Sequence, residues 1–151
     1  MMKNKALTLS IVSVFVLVFL VGLASAATIF SDNFNDGDLT GWTTSNWENT
    51  GSNAESTNVA NAYLERTIST SGFQTIVVKY DRKLGVDWES ADNFNVSWSL
   101  DGVTYTSLED VVGNVDDALP DDASFVSKTT LTLPSSANNT ASFRIKFKCT
   151  T

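Results

Sequence analysis

The sequence predicts an all-β fold, an antiparallel sandwich or barrel of about eight short strands, on the strength of three observations. The stretch Asp92 to Leu108 reads D-N-F-N-V-S-W-S-L-D-G-V-T-Y-T-S-L, with Phe94, Val96, Trp98 and Leu100 on one face and Asn93, Asn95, Ser97 and Ser99 on the other. Asp101-Gly102 is the kind of dipeptide that folds such a run back as a hairpin. The same alternation between turn residues recurs along the chain, with almost no helical periodicity beyond the first 26 residues.

Taken in order, Ile29 to Phe34 reads as an opening β run, and Thr40 to Trp47 as a turn-rich stretch whose two tryptophans cap or enter a strand. Ala62 to Ile68 is the next strand. Phe73 to Lys83 follows, with Ile76, Val78 and Tyr80 on one face and Thr75, Val77, Lys79 and Asp81 on the other. After the hairpin, Leu108 to Val112 hints at a helical turn. Ser124 to Leu133 sets Phe125 and Leu131 among polar residues and stops at Pro134, and Ala141 to Lys148 alternates Phe143, Ile145 and Phe147 with Ser142, Arg144, Lys146 and Lys148.

Residues 1–26 read as an address rather than as fold. Lys3 and Lys5 precede a nearly unbroken apolar run from Ile11 to Leu23, and Ala24-Ser25-Ala26 has the spacing of small residues that a signal peptidase accepts. A cleaved secretory signal is expected, with Ala27 opening a single mature domain over 27–151 in a secreted or cell-surface protein. The alternative is an uncleaved anchor, since Ala6 to Ala26 is just long enough to span a bilayer. Without the signal the chain has 8 basic and 17 acidic residues, a net charge of −9. Such a balance argues against nucleic acid and against anionic membrane surfaces as partners. It suits a soluble extracellular protein or a calcium binder. Cys149 is the only cysteine, so no internal disulfide forms; it remains free or pairs between molecules.

The stretches Phe30 to Thr43 (F-S-D-N-F-N-D-G-D-L-T-G-W-T), Tyr63 to Leu84, Ser99 to Tyr105 (S-L-D-G-V-T-Y), Leu131 to Pro134 and Phe143 to Phe147 come in a characteristic order. Together they resemble the jelly-roll modules of secreted bacterial and archaeal surface proteins, relatives in shape of MAM domains, concanavalin-like lectins and carbohydrate-binding modules. The resemblance implies a two-sheet antiparallel jelly-roll β-sandwich serving as an accessory binding or adhesion domain. It also implies one more strand after Phe147, returning beside the first. The given chain stops at Thr151. Either the fold closes without that strand, or the sequence is a piece of a longer chain, or the open edge is filled by another chain in self-association by strand addition.

Catalysis is not expected. With no histidine there is no Ser-His-Asp or Cys-His arrangement. The E-x-D-x-x-E strand typical of glycosidases on concanavalin-like folds is missing, and Glu48, Glu55, Glu65, Glu89 and Glu109 are scattered. Hard oxygen ligands are more plausible: Asp32, Asn35, Asp36 and Asp38 crowd around Gly37 as calcium would require, although tight turns select the same residues. The resemblance implies a structural calcium near the amino-terminal strand. Asp116, Asp117, Asp121 and Asp122 form a second acidic loop.

Sugar binding needs exposed rings beside amides and carboxylates. Trp98 points inward and Trp42 is expected in the core. Trp47 and Trp88 lie in polar surroundings, Trp47 with Glu48 and Asn49, Trp88 with Asp87 and Glu89, and these six are the expected ligand contacts; the alternative for each tryptophan is a plug at the end of the core. Two glycosylation sequons begin at Asn95 and Asn138. The expected function is non-catalytic binding of carbohydrate or another cell-surface ligand. The alternatives are a structural subunit of a surface layer or filament, joined through the edge after Phe147, and a spacer domain of a longer surface protein.

Overall fold

A computed structural model of the protein describes residues 27–56, 61–84, 91–113, 122, 124–130 and 132–150. Its strands are β1 (Thr43–Ser45), β2 (Glu48–Asn49), β3 (Ala54–Glu55), β4 (Ala62–Ile68), β5 (Lys79–Arg82), β6 (Asn93–Ser99), β7 (Thr106–Val112), β8 (Val126–Thr129) and β9 (Phe143–Thr150), with one 3-10 turn at Ser135–Ala137. Five of them form an antiparallel sheet in the order β1-β4-β9-β6-β7, while β2-β3 and β5-β8 form separate two-stranded ladders. The fold is all-β, as the alternating sequence requires. Among the described residues no helix is long and apolar enough to cross a membrane.

The large sheet has one apolar face, because partners across an antiparallel ladder point to the same side. Ala62, Leu64 and Ile68 of β4 lie opposite Cys149, Phe147 and Phe143 of β9. On its other side β9 sets Cys149, Phe147 and Ile145 against Phe94, Val96 and Trp98 of β6. The Trp98 and Phe143 rings stack with centroids 5.9 Å apart. Against this face packs a second layer built on β5 and β8, which contributes Ile76, Val78 and Tyr80 with Leu133 to the same core. Tyr80 meets Phe147 edge-on at 5.4 Å. Pairing in this layer runs past the formal strands, since Thr130 donates its N–H to Val78 O and Leu133 to Ile76 O, each at 2.9 Å. Two layers thus enclose one core, as in a β-sandwich.

Several sequence expectations are corrected. Ile29 to Phe34 is not a strand: the Asp32 side chain accepts the N–H of Phe34, that of Asn33 accepts the N–H of Asn35, and Phe34 has φ +56°. Asx turns compete here with extended backbone. Leu108 to Val112 is strand, not helix. A bulge opposite Val96 and Ser97 inserts one extra residue into β7, which lets both Leu108 and Val111 face the core and imitates the i, i+3 spacing of a helix. Phe125 is exposed at 55 %, and Leu133 fills the core in that region; Leu131 lies outside the described residues. Lastly, β9 is not an edge. It pairs with β4 and β6 on its two sides, and the outer strands of the sheet are β1 and β7.

Cys149 faces inward beside Ala62 and Phe94. Burial, reinforced by the nearby Asp92 charge, pushes its thiol up to about 11, so it stays protonated at neutral pH.

Candidate ligand-binding cleft

The segment D-N-F-N-D-G-D-L-T folds as a chain of side-chain-capped turns. Asp32 Oδ1 accepts from Phe34 N (2.9 Å), Asn33 Oδ1 from Asn35 N (3.1 Å), Asp36 Oδ1 from Asp38 N (3.3 Å) and Asp38 Oδ1 from Thr40 N (2.7 Å). Each is a bond from residue i to i+2, the preferred geometry of short Asp and Asn side chains. The other Asp32 oxygen accepts the Trp42 indole N–H at 2.8 Å, which draws the turn chain against the sheet. Trp42 packs against Phe30, Phe34 and Phe147 with centroids 5.9, 5.7 and 6.3 Å away.

Arg66 of β4 closes one wall. Its guanidinium lies 4.2 Å from the Phe30 ring centroid and 5.7 Å from that of Trp42, and Nη1 donates to Thr40 O at 3.1 Å. Gly41 makes this approach possible. It has φ +83°, and a Cβ there would come within 2.8 Å of Arg66 Nη1. Gly41→Ala is therefore expected to lower stability by about 1–2 kcal/mol from backbone conformation alone, with displacement of Arg66 in addition; chemical denaturation against the unsubstituted protein measures it.

The result is an open cleft of about 520 Å³. Its acceptors come from Asp32, Asp36, Asp38 and Asn33, its hydroxyls from Ser31 and Thr40, and its guanidinium from Arg66. Asn49 of β2 fixes the cleft from behind: Nδ2 donates to Phe34 O (2.9 Å) and Asp38 O (2.7 Å), while Oδ1 accepts from Gly51 N (2.7 Å). All of these polar atoms of Asn49 are engaged inside the protein, so it acts as a brace. The structure thus joins two groups that the sequence suggested separately, the acidic loop and the Trp47-Glu48-Asn49 stretch. Trp47 is half-buried with its indole N–H unpartnered, and Glu48 is exposed opposite Glu55. Asn35 is not among the cleft's lining residues. Asp87, Trp88, Glu89, Asp116, Asp117 and Asp121 lie outside the described residues. Among the described residues no three of His, Cys, Asp and Glu gather closely enough to hold a metal ion.

Two enclosed carboxylates escaped the sequence reading, and each is tied into structure. On the outward face, Glu65 accepts from Lys146 (2.6 Å), Arg144 (3.1 Å) and Tyr105 Oη (2.6 Å). Burial would raise its pKa, but these donors outweigh burial and leave it below the usual carboxylate range. On the core side of β7, Glu109 accepts from Tyr80 Oη (2.7 Å), Arg82 Nε (3.1 Å) and Lys128 Nζ (3.0 Å), and Arg82 also pairs with Asp122. The paired alternation of Arg144, Lys146 and Lys148 was visible in the sequence; that Glu65 would meet it depended on strand order.

The fold and the cleft define the protein as an all-β, sandwich-like module with a polar surface site. The chain matches no protein-family model, no curated protein and no solved structure.

Proposed function

We propose that this protein is a non-catalytic, extracellular binding module that holds carbohydrate in the cleft between Phe30 and Arg66. The observation that carries this reading is the preorganised polar lining. Carboxylates, an amide, hydroxyls and one guanidinium surround an open volume of about 520 Å³; the carboxylates and the amide accept from backbone N–H groups or the Trp42 indole, and the guanidinium lies over the Phe30 ring. Such groups bind sugar hydroxyls, and a lining already fixed loses little entropy when a ligand arrives. Two further observations support it. The enclosed carboxylates Glu65 and Glu109 stabilise the sheet and sit on its opposite faces, and the apolar, A-S-A-ended segment at 1–26 has the pattern of an export signal.

Three carboxylates against one guanidinium give the cleft a negative balance, which selects neutral or amino sugars over acidic ones. The test is a glycan array with calcium and again with chelator, followed by titration of the best neutral glycan. Asp36→Asn removes a charge-assisted hydrogen bond and is expected to weaken binding about tenfold. Trp47→Ala tests the half-buried ring two residues before Asn49, outside the cleft lining. Unchanged affinity in both variants would place the ligand elsewhere, and silence across the array from folded protein would remove the carbohydrate reading.

A further inference from the structure

The outward face of the five-stranded sheet has the opposite character to the cleft. Strand register sets Ser45, Tyr63, Lys148, Asn95 and Asp110 in one row across β1, β4, β9, β6 and β7. The next row along holds Glu65, Lys146 and Ser97. Three of the chain's 10 basic residues, Arg144, Lys146 and Lys148, therefore occupy alternate outward positions on one central strand. Glu65 pins Arg144 and Lys146, and Lys146 Nζ lies 3.8 Å from the Tyr105 ring centroid and 5.4 Å from that of Tyr63. Lys148 forms no ion pair among the described residues. It stands between Tyr63 and Asn95, whose amide nitrogen donates to Ser107 Oγ (3.0 Å) and Glu109 O (3.1 Å) and is thereby fixed in direction.

A ring, an unpaired ammonium and an oriented amide thus lie side by side at the spacing of neighbouring strands, about 4.8 Å. That spacing is the width of one sugar ring. Tyr63 offers an apolar surface to a pyranose, Lys148 a partner for a carboxylate, and Asn95 a carbonyl oxygen for a hydroxyl. On this face Arg144, Lys146 and Lys148 stand against Glu65 and Asp110, on a chain whose total charge is −7. A long polyanion would meet the negative field of the rest of the molecule, whereas one carboxylate held within a Debye length of Lys148 would not.

We infer that the row Tyr63, Lys148 and Asn95 binds a single carboxylate-bearing sugar residue, at a site separate from the cleft. The ring packs on Tyr63 and the carboxylate pairs with Lys148. This inference does not depend on the cleft, and the two fail separately.

The test is an NMR titration of the protein with methyl glycosides of glucuronic, galacturonic and N-acetylneuraminic acid, each beside its methyl ester. At least one acid is expected to bind ten times or more tightly than its ester and to shift the amides of β4, β6 and β9. Lys148→Met, which keeps the side-chain stem, is expected to abolish the preference for acid over ester, and Tyr63→Leu to weaken both forms. Equal binding of acid and ester, no binding by any of the three acids, or a Lys148→Met variant that keeps the preference would overturn the inference. So would Lys148-dependent self-association in sedimentation velocity without sugar, which would assign the face to a second copy of the chain.

Discussion

Trp98→Ala is expected to destabilise the protein by about 3–5 kcal/mol, the range for emptying a large aromatic site in a packed core. Trp98 is 7 % exposed and stacks on Phe143 at 5.9 Å with the rings only 19° from parallel. It lies beside Ile145 of β9 and Thr106 of β7, so its ring fills the core where β9, β6 and the outer strand β7 meet. Lost transfer energy and the cavity both contribute. Urea denaturation measures the effect, with a midpoint far below that of the unsubstituted protein and a similar slope. Trp98→Phe, which keeps a stacking ring, should lose much less. A Trp98→Ala protein within 1 kcal/mol of the parent would mean that the two layers are not joined through this ring.

The strands that alternate cleanly were legible in the sequence because period-two patterning is a local property. Ala62 to Ile68 forms β4 as read, and the hairpin forms β6 and β7 around Asp101-Gly102. Turn chemistry was legible there too. Asp101 Oδ1 accepts the N–H groups of Val103 and Thr104 at 2.8 Å each, which hold its carboxyl well below the ordinary range. Gly102, at φ +73°, leaves room for the Arg144 guanidinium, which a Cβ would meet at 2.5 Å. The misreadings arose where a side chain captured the backbone or a bulge shifted the phase. Asp32 and Asn33 turned an apparent strand into a chain of turns, and the extra residue in β7 gave Leu108 and Val111 a helical spacing.

Strand order was less legible, and the site with it. Nothing local in F-R-I-K-F says that β9 is central, because its long-range partners are chosen by burial of both flanking strands. Once β9 sits between β4 and β6, Glu65 faces Lys146 and Tyr63 faces Lys148, although more than 80 positions separate the members of each pair in the sequence. The same limit explains why the bracing role of Asn49 was not read: its partners, Phe34 O and Asp38 O, are backbone atoms of a loop whose path no motif gives. In the acidic loop, expected as calcium ligands or as turn residues, the turn chemistry was legible, because Asp and Asn at i capture the N–H of i+2, while the run up to Phe34 was misread as strand.

Acid is expected to loosen the joint between the two layers, and Glu109 is where it acts first. This carboxylate of β7 is 15 % exposed and accepts from Tyr80, Arg82 and Lys128, all from the opposite layer. Burial opposes ionisation, but the hydrogen bonds from Tyr80, Lys128 and Arg82 outweigh it and hold the folded pKa below the ordinary value. The unfolded chain, with a glutamate pKa of about 4.3, therefore binds more protons in the window below about pH 5. Stability is complete above that window and is lost as pH falls through the folded pKa, with Glu65 adding in the same direction. Tyr80 sets a limit on the alkaline side. Burial and then the Glu109 carboxylate raise its pKa, so its contribution is full below about pH 10 and fades as pH rises further. Glu109→Gln is expected to cost about 1–3 kcal/mol at pH 7, because the enclosed Arg82 keeps only Asp122 among the described residues, and the Tyr80 hydroxyl and the partly exposed Lys128 lose a charged partner. Its melting temperature should also fall less steeply than that of the unsubstituted protein between pH 6 and pH 3, the remaining slope belonging mainly to Glu65. Melting curves across that range decide it: parallel slopes in the two proteins would show that the layers are joined by packing alone.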